Sequence, residues 1–327
     1  MHDTARITRI TRVARTTRPA RAALAAASLL LAFLLVGCAT GGDTPADTPT
    51  GEPVTEVAAF PVTITDDAGR EVTIEAEPQR IVSLAPANTE IVAALGLIDR
   101  LVGVTSFCDY PSEVTSIDII GDFASPNLEA VAAAEPDLVL ATSGVQADVI
   151  VQLEELGAVV VAVDPADLEA VFDSITMVGK ATGAAGEAET IVSSMRSELD
   201  EITVAIGDTA PVPVFLEIAQ DPLFTAGPGT LLDDIIIAAG GANIVTQEGY
   251  VAFSVEQLVA EDPAVYLATL GSMSDPDDLA SRPGYGDIAA VRTGRVFVLE
   301  DNLVSRPGPR VVEGVRLIAE ALHPEAF

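Results

Sequence analysis

The chain is short of the side chains from which most catalytic and metal sites are built. Its 327 residues include only 2 His and 2 Cys, no Trp and a single Lys, Lys180. His2 lies at the N-terminus and His323 near the C-terminus, so a Ser-His-Asp triad, a zinc protease centre or a receptor site for bare zinc or manganese has almost no imidazole to draw on. Basic residues are scarce as well: 17 Lys+Arg face 49 Asp+Glu, a formal charge of -32. That excess argues against a nucleic-acid partner, whose phosphates must be neutralised by cations. No G-x-S-x-G or Walker A sequence occurs, and neither Ala85-Pro86-Ala87-Asn88 nor Gly227-Pro228-Gly229 has the spacing of a dinucleotide-binding turn. An enzyme is therefore not expected. What is present is a globular balance, 49% hydrophobic with 20% charged, in a length suited to roughly two domains.

The few cations are unevenly placed. Arg6, Arg9, Arg12, Arg15, Arg18 and Arg21 precede an apolar stretch at residues 22–36, shorter than the roughly 20 residues a membrane-spanning helix needs, and the pattern is that of a signal peptide. The stretch closes on Leu35-Val36-Gly37-Cys38, which resembles the lipobox of bacterial lipoproteins. In that motif the Cys thiol is acylated and becomes the first residue of the mature protein. Residues 1–37 are thus expected to be removed and Cys38 to carry the lipid. The product would be extracytoplasmic, anchored to the cell membrane, or periplasmic where an outer membrane exists. Two acyl chains hold such a protein at about 0.8 kcal/mol per buried methylene. With Cys38 acylated, Cys108 has no partner and no intrachain disulfide is expected. Residues 38–60 are rich in Gly, Pro, Thr, Asp and Glu and read as a flexible tether.

Beyond the tether the apolar pattern becomes regular. Val62-Thr63-Ile64-Thr65 and Glu71-Val72-Thr73-Ile74 alternate around Asp67-Ala68-Gly69-Arg70 and predict a hairpin. From residue 78 onward, short Val- and Ile-rich runs alternate with helical patterns, the order of parallel sheets covered by helices. Strands are expected at 81–84, 138–140, 159–161 and 214–216, and residues 168–206 are almost purely helical with one Gly interruption. The two sides of that helical stretch repeat each other. EAVAAAEPDLVLAT at 129–142 aligns without a gap on EQLVAEDPAVYLAT at 256–269, and GAVVVAVD at 157–164 matches GRVFVLED at 294–301. The expected architecture is α/β: an N-terminal lobe at 61–167, a helical backbone at 168–206 and a C-terminal lobe at 207–327, each lobe with a Rossmann-like parallel sheet. A ligand then belongs in the crevice at the carboxyl ends of the strands of both lobes.

Several loops carry a more specific pattern. SLAPANTE at 83–90, VGVT at 102–105, DYP at 109–111, NLE at 127–129, DPLFTAG at 221–227 and SRPGPR at 305–310 resemble the substrate-binding proteins of the cobalamin, haem and ferric-siderophore ABC importers, with a leaning toward the cobalamin-binding branch. The resemblance spans about residues 62–323. It implies a class III periplasmic-binding-protein fold, two lobes joined by a single long helix with little hinge motion, that acts as a monomer and delivers a metal chelate to a permease dimer with its ATPase subunits. It further implies that one surface Glu on each lobe docks on the permease, and the matching positions are Glu129 and Glu256, the first aligned residues of the repeat. Equivalent carboxylates on a pseudo-two-fold binder suit a two-fold partner.

For the ligand, the resemblance implies aromatic side chains packed on a flat macrocycle, at or near Tyr110, Phe123, Phe224 and Tyr250, with Pro86, Asn88 and Arg306 as further contacts. The chemistry of the candidates differs. Haem needs an axial ligand, for which Tyr110 is the first choice. A catecholate siderophore needs clustered cations, and Arg306 and Arg310 are few. Cobalamin has little net charge and suits aromatic walls with scattered polar groups, so the order is cobalamin, haem, siderophore. The bound chelate is cargo, and no resident cofactor or metal is expected. Cys108 could approach a metal centre as a thiolate, but the adjacent Asp109 carboxylate disfavours that form and a small buried side chain is the simpler account.

Overall fold

The computed structural model describes residues 60–273 and 275–327. The leader, Cys38 and all of the tether except Phe60 lie outside the described residues. The chain begins with an antiparallel hairpin, β1 (Val62–Thr65) and β2 (Glu71–Ile74). The first lobe follows with β3 (Ile81–Ser83), α1 (Pro86–Ala94), β4 (Leu101–Val104), α2 (Leu128–Ala133), β5 (Leu138–Ala141), α3 (Ala147–Glu155) and β6 (Val160–Ala162). Next come α4 (Leu168–Thr182) and α5 (Ala185–Ile206). The second lobe comprises β7 (Val212–Glu217), β8 (Ala219–Gln220), β9 (Leu223–Ala226), α6 (Leu231–Ala238), β10 (Gly241–Asn243), β11 (Tyr250–Ala252), α7 (Val255–Glu261), β12 (Val265–Thr269), α8 (Ala289–Arg292), β13 (Val296–Leu299), α9 (Asp301–Val304) and α10 (Val311–Leu322).

The internal repeat is visible in the topology. The first sheet runs β4-β3-β5-β6 and the second β10-β7-β12-β13, all parallel, so in both lobes the first strand lies between the second and the third. The central strands β5 and β12 are buried at every residue, as strands covered on both faces must be, which is why they read as continuous apolar runs. The match extends to the backbone. Glu135 and Asp262 share positive φ values of 46° and 42°; they are repeat partners, each closing a short helix ahead of a Pro.

The helical stretch is divided at Gly183, whose φ of 80° ends α4 in a left-handed cap. The 15-residue α4 packs against β1 and α1 of the first lobe and α6 of the second. The 22-residue α5 is the long connecting helix, and α10 packs along it. A side chain at Gly179 would stand 2.4 Å from the Ala188 methyl, so glycine sets how closely α4 and α5 approach. One apolar cluster runs through this layer without a break, from Ile64 and Ile81 through Val178 and Ile202 to Leu216 and Leu322. Both lobes thus share a core. Wide separation of the lobes would expose it, so the hinge motion this architecture permits is small.

Candidate ligand-binding cleft

In a sheet of this order the crevice opens where the chain leaves the first strand in one direction and the third in the other, beyond the carboxyl ends of β3 and β5, and of β7 and β12. The two sets of carboxyl ends meet. Arg306, in the loop after α9, donates from Nη1 to Asp109 Oδ1 at 2.6 Å, in the loop after β4, and from Nη2 to the Phe107 carbonyl at 3.2 Å. Its Nη1 also reaches Glu90 Oε1 on α1 at 2.9 Å. Arg310 donates to the same carboxylate from Nε at 2.8 Å and Nη2 at 2.6 Å, and its guanidinium lies 3.8 Å from the centre of the Tyr110 ring. Two arginines of one lobe are thereby bound to two carboxylates and an aromatic face of the other.

This network corrects the expectation for Arg306. The side chain is 13% exposed and committed to Glu90 and Asp109, so it is an interlobe tie rather than a spare cation for a ligand. Hydrogen bonding to Arg306 holds the Asp109 carboxyl below its ordinary 3.8, against the opposing effect of burial. A carboxyl lowered in the folded state contributes stability above its ordinary value, and the contribution is lost as the pH falls through the folded one. Asp109→Asn should therefore flatten the fall in melting temperature below about pH 4. An unchanged slope in circular-dichroism melts at stepped pH would show that the tie is not linked to folding.

The other expected contacts divide. Pro86 is half-buried at the first turn of α1, but Asn88 is fully buried, with neither polar side-chain atom hydrogen-bonded among the described residues, and is out of a ligand's reach. Cys108 is also buried, its Sγ 3.1 Å from Thr89 Oγ1 and 3.3 Å from Thr105 Oγ1, as a small interior side chain. Tyr110 is 46% exposed and Phe123 half-buried.

Phe224 and Tyr250 are brought together by a small antiparallel sheet, β11-β9-β8, whose strands β8 and β9 follow β7 and whose strand β11 follows β10. Phe224 pairs with Ala252 and Ala219, and Tyr250 with Ala226, so both aromatics share one face as diagonal neighbours among alanines. The opposite face carries Leu223 and Val251 into the core of the lobe. The result is a flat apolar plate, with Tyr250 55% exposed. Apolar residues in other strand-end loops, Phe107, Val145 and Leu270, are also exposed. Glu90 was missed, although a lone carboxylate beside Ile91 and Val92 on an otherwise uncharged helix is a sign of buried pairing.

At the second switch point the buried Glu217 accepts hydrogen bonds from the Tyr266 hydroxyl and from Arg282 Nη1 at 2.6 Å. Burial, and then the Glu217 carboxylate, push the Tyr266 hydroxyl well above the usual phenol range, so it remains a donor. No group of three or more His, Cys, Asp or Glu side chains among the described residues is placed to hold a metal ion.

Glu129 and Glu256 occupy the same place on equivalent helices. Each is exposed at the second position, after the caps Asn127 and Ser254. The Asn127 side chain accepts from Glu129 N at 3.1 Å, while Ser254 and Gln257 form a capping box.

Comparison with known proteins agrees with this geometry. Residues 81–303 match the periplasmic binding protein family model. The chain belongs to that family. It is 38% identical over 311 residues to an ABC transporter substrate-binding lipoprotein of Bacillus subtilis, covering 92% of this chain and 97% of the relative. It is 31% identical over 280 residues to a cobalamin-binding protein of Halobacterium salinarum, covering 81% and 75%. The periplasmic haem-binding protein of Roseiflexus superposes with a TM-score of 0.69 at 28% identity, covering 76% and 99%. This periplasmic binding protein has the class III fold and is an ABC-importer substrate-binding protein of the B12, haem and siderophore group, not an enzyme. Such proteins deliver cargo to a permease, and as a lipoprotein this one is extracytoplasmic and membrane-anchored. No helix among the described residues is long and apolar enough to cross a membrane.

Proposed function

We propose that the protein captures cobalamin between its lobes and passes it to the permease of an ABC importer. The observation that carries this reading is charge balance. Arg282, Arg306 and Arg310 at the strand ends are matched by Glu217, Asp109 and Glu90, leaving an aromatic plate and polar groups but no spare cation there among the described residues. A catecholate siderophore with several negative charges finds no counter-charge there, whereas a nearly neutral, amide-bearing corrin needs none. Haem is the second reading, favoured by one observation: Tyr110 is 46% exposed in a loop at the cleft, and a tyrosine oxygen is one of the axial ligands haem iron takes.

In this reading Glu129 and Glu256 dock on the two permease subunits, whose ATPase partners drive transport, while the acylated Cys38 holds a monomeric receptor at the membrane. Exposed carboxylates of this kind set register and encounter rate more than affinity. The test is titration of the full chain in detergent with cobalamin, hemin and a ferric catecholate, followed by absorbance. Cobalamin is expected to bind in the nanomolar to low micromolar range, with less than about threefold change between roughly 50 and 500 mM salt, because no net ionic contact is made. Tighter binding of hemin or of the catecholate would overturn the assignment.

A further inference from the structure

The C-terminal lobe has a smaller cavity at the edge of the cleft. Its volume is about 210 Å³, and it is lined by Gln220, Ser272, Met273, Asp278, Ser281 and Arg282. It lies beyond the carboxyl ends of β7 and β12. Its wall at 270–273 is tied to the interlobe rim, since Gly271 N donates to Asp301 Oδ2 at 2.9 Å and the next residue, Asn302, places Nδ2 3.5 Å from Asp109 of the other lobe. The cavity is below the roughly 300–1,000 Å³ that encloses a whole ligand and amounts to about seven water volumes. That suits a side arm of a larger molecule seated in the cleft.

We infer that this cavity is a subsite for a primary carboxamide arm of the bound chelate. The inference rests on the proposed capture of a corrinoid and adds how that ligand is told from a carboxylate-bearing macrocycle. Arg282 gives Nη1 to Glu217 and has further N–H donors for a carbonyl oxygen. The Ser272 hydroxyl donates its proton to the Thr269 carbonyl at 2.9 Å and that of Ser281 to the Asp278 carbonyl at 2.7 Å, so both oxygens offer only lone pairs to an incoming group. Asp278 adds a carboxylate, Gln220 an amide of both characters, and Met273 an apolar contact for methylenes. A carboxamide, with one acceptor and two donors, satisfies this set. A carboxylate does not, because Glu217 already cancels Arg282 and Asp278 leaves the site negative.

The test compares cobalamin with its three monocarboxylic acids, in each of which one propionamide is hydrolysed, on the wild-type full chain and on Asp278→Asn and Gln220→Ala. Both positions are exposed, and unchanged melting temperatures check that the variants fold. The wild type should bind cobalamin at least about tenfold more tightly than one of the three acids. Asp278→Asn should bring that ratio below about threefold, and Gln220→Ala should weaken cobalamin by about threefold or more while leaving that acid unaffected. Equal binding of all three acids and cobalamin by the wild type, or an unchanged ratio in Asp278→Asn, overturns the subsite alone. Failure of the wild type to bind cobalamin overturns the corrinoid reading together with it.

Discussion

Replacing Glu90 with Ala is expected to destabilise the protein by about 3–5 kcal/mol, the cost of removing one member of a buried ion-pair network. The side chain is 2% exposed and takes donors from both Arg306 and Arg310, themselves 13% and 16% exposed. Water therefore cannot easily replace the lost carboxylate. Arg306 keeps Asp109, but Arg310 is left with only the Tyr110 ring. Since the chain has no Trp, the measurement is urea unfolding followed by far-ultraviolet circular dichroism. Glu90→Ala combined with Arg310→Met should recover at least about 1 kcal/mol of the loss, because the cost arises from uncompensated charge rather than from a missing contact. A single-variant loss under about 1 kcal/mol would place the network with weakly coupled surface pairs. Because the substitution also releases positive charge into the cleft, Glu90→Ala should shift ligand preference toward hemin, which the titration above reads directly.

The second large effect is expected on transport. Glu129→Ala with Glu256→Ala should lower cobalamin uptake at least about tenfold while leaving ligand affinity unchanged, since steering and register carry such contacts. The single variants should lose comparable amounts, because each carboxylate sits at the second position of an equivalent helix after a side-chain cap. Both side chains are exposed, and what each gives its own helix through the dipole is too small for its loss to unfold the lobe. Import by the double variant at the wild-type rate would remove docking from these residues.

The gross architecture was legible because it follows from local patterns. Buried strands such as β5 and β12 are continuous apolar runs, and the hairpin β1–β2 is a strict alternation about a Gly turn. The duplication could be read from two ungapped matches. The aromatic plate was legible as residues but not as a surface: only the register of β9 against β11 puts Phe224 and Tyr250 on one face. Arg306 and Asn88 were misread for a related reason. A loop cation and a loop amide look available until packing shows the first paired and the second enclosed.

Sequence alone, then, determined the repeat of β-α units on either side of the helical stretch and the class of transport protein, since each depends on short-range periodicity or on contiguous motifs. Tertiary structure alone decided the charge state of the cleft. Glu90 and Arg310 are separated by 220 residues, and whether a carboxylate cancels a guanidinium depends on a few ångströms of separation and on exclusion of water, neither of which is written along the chain.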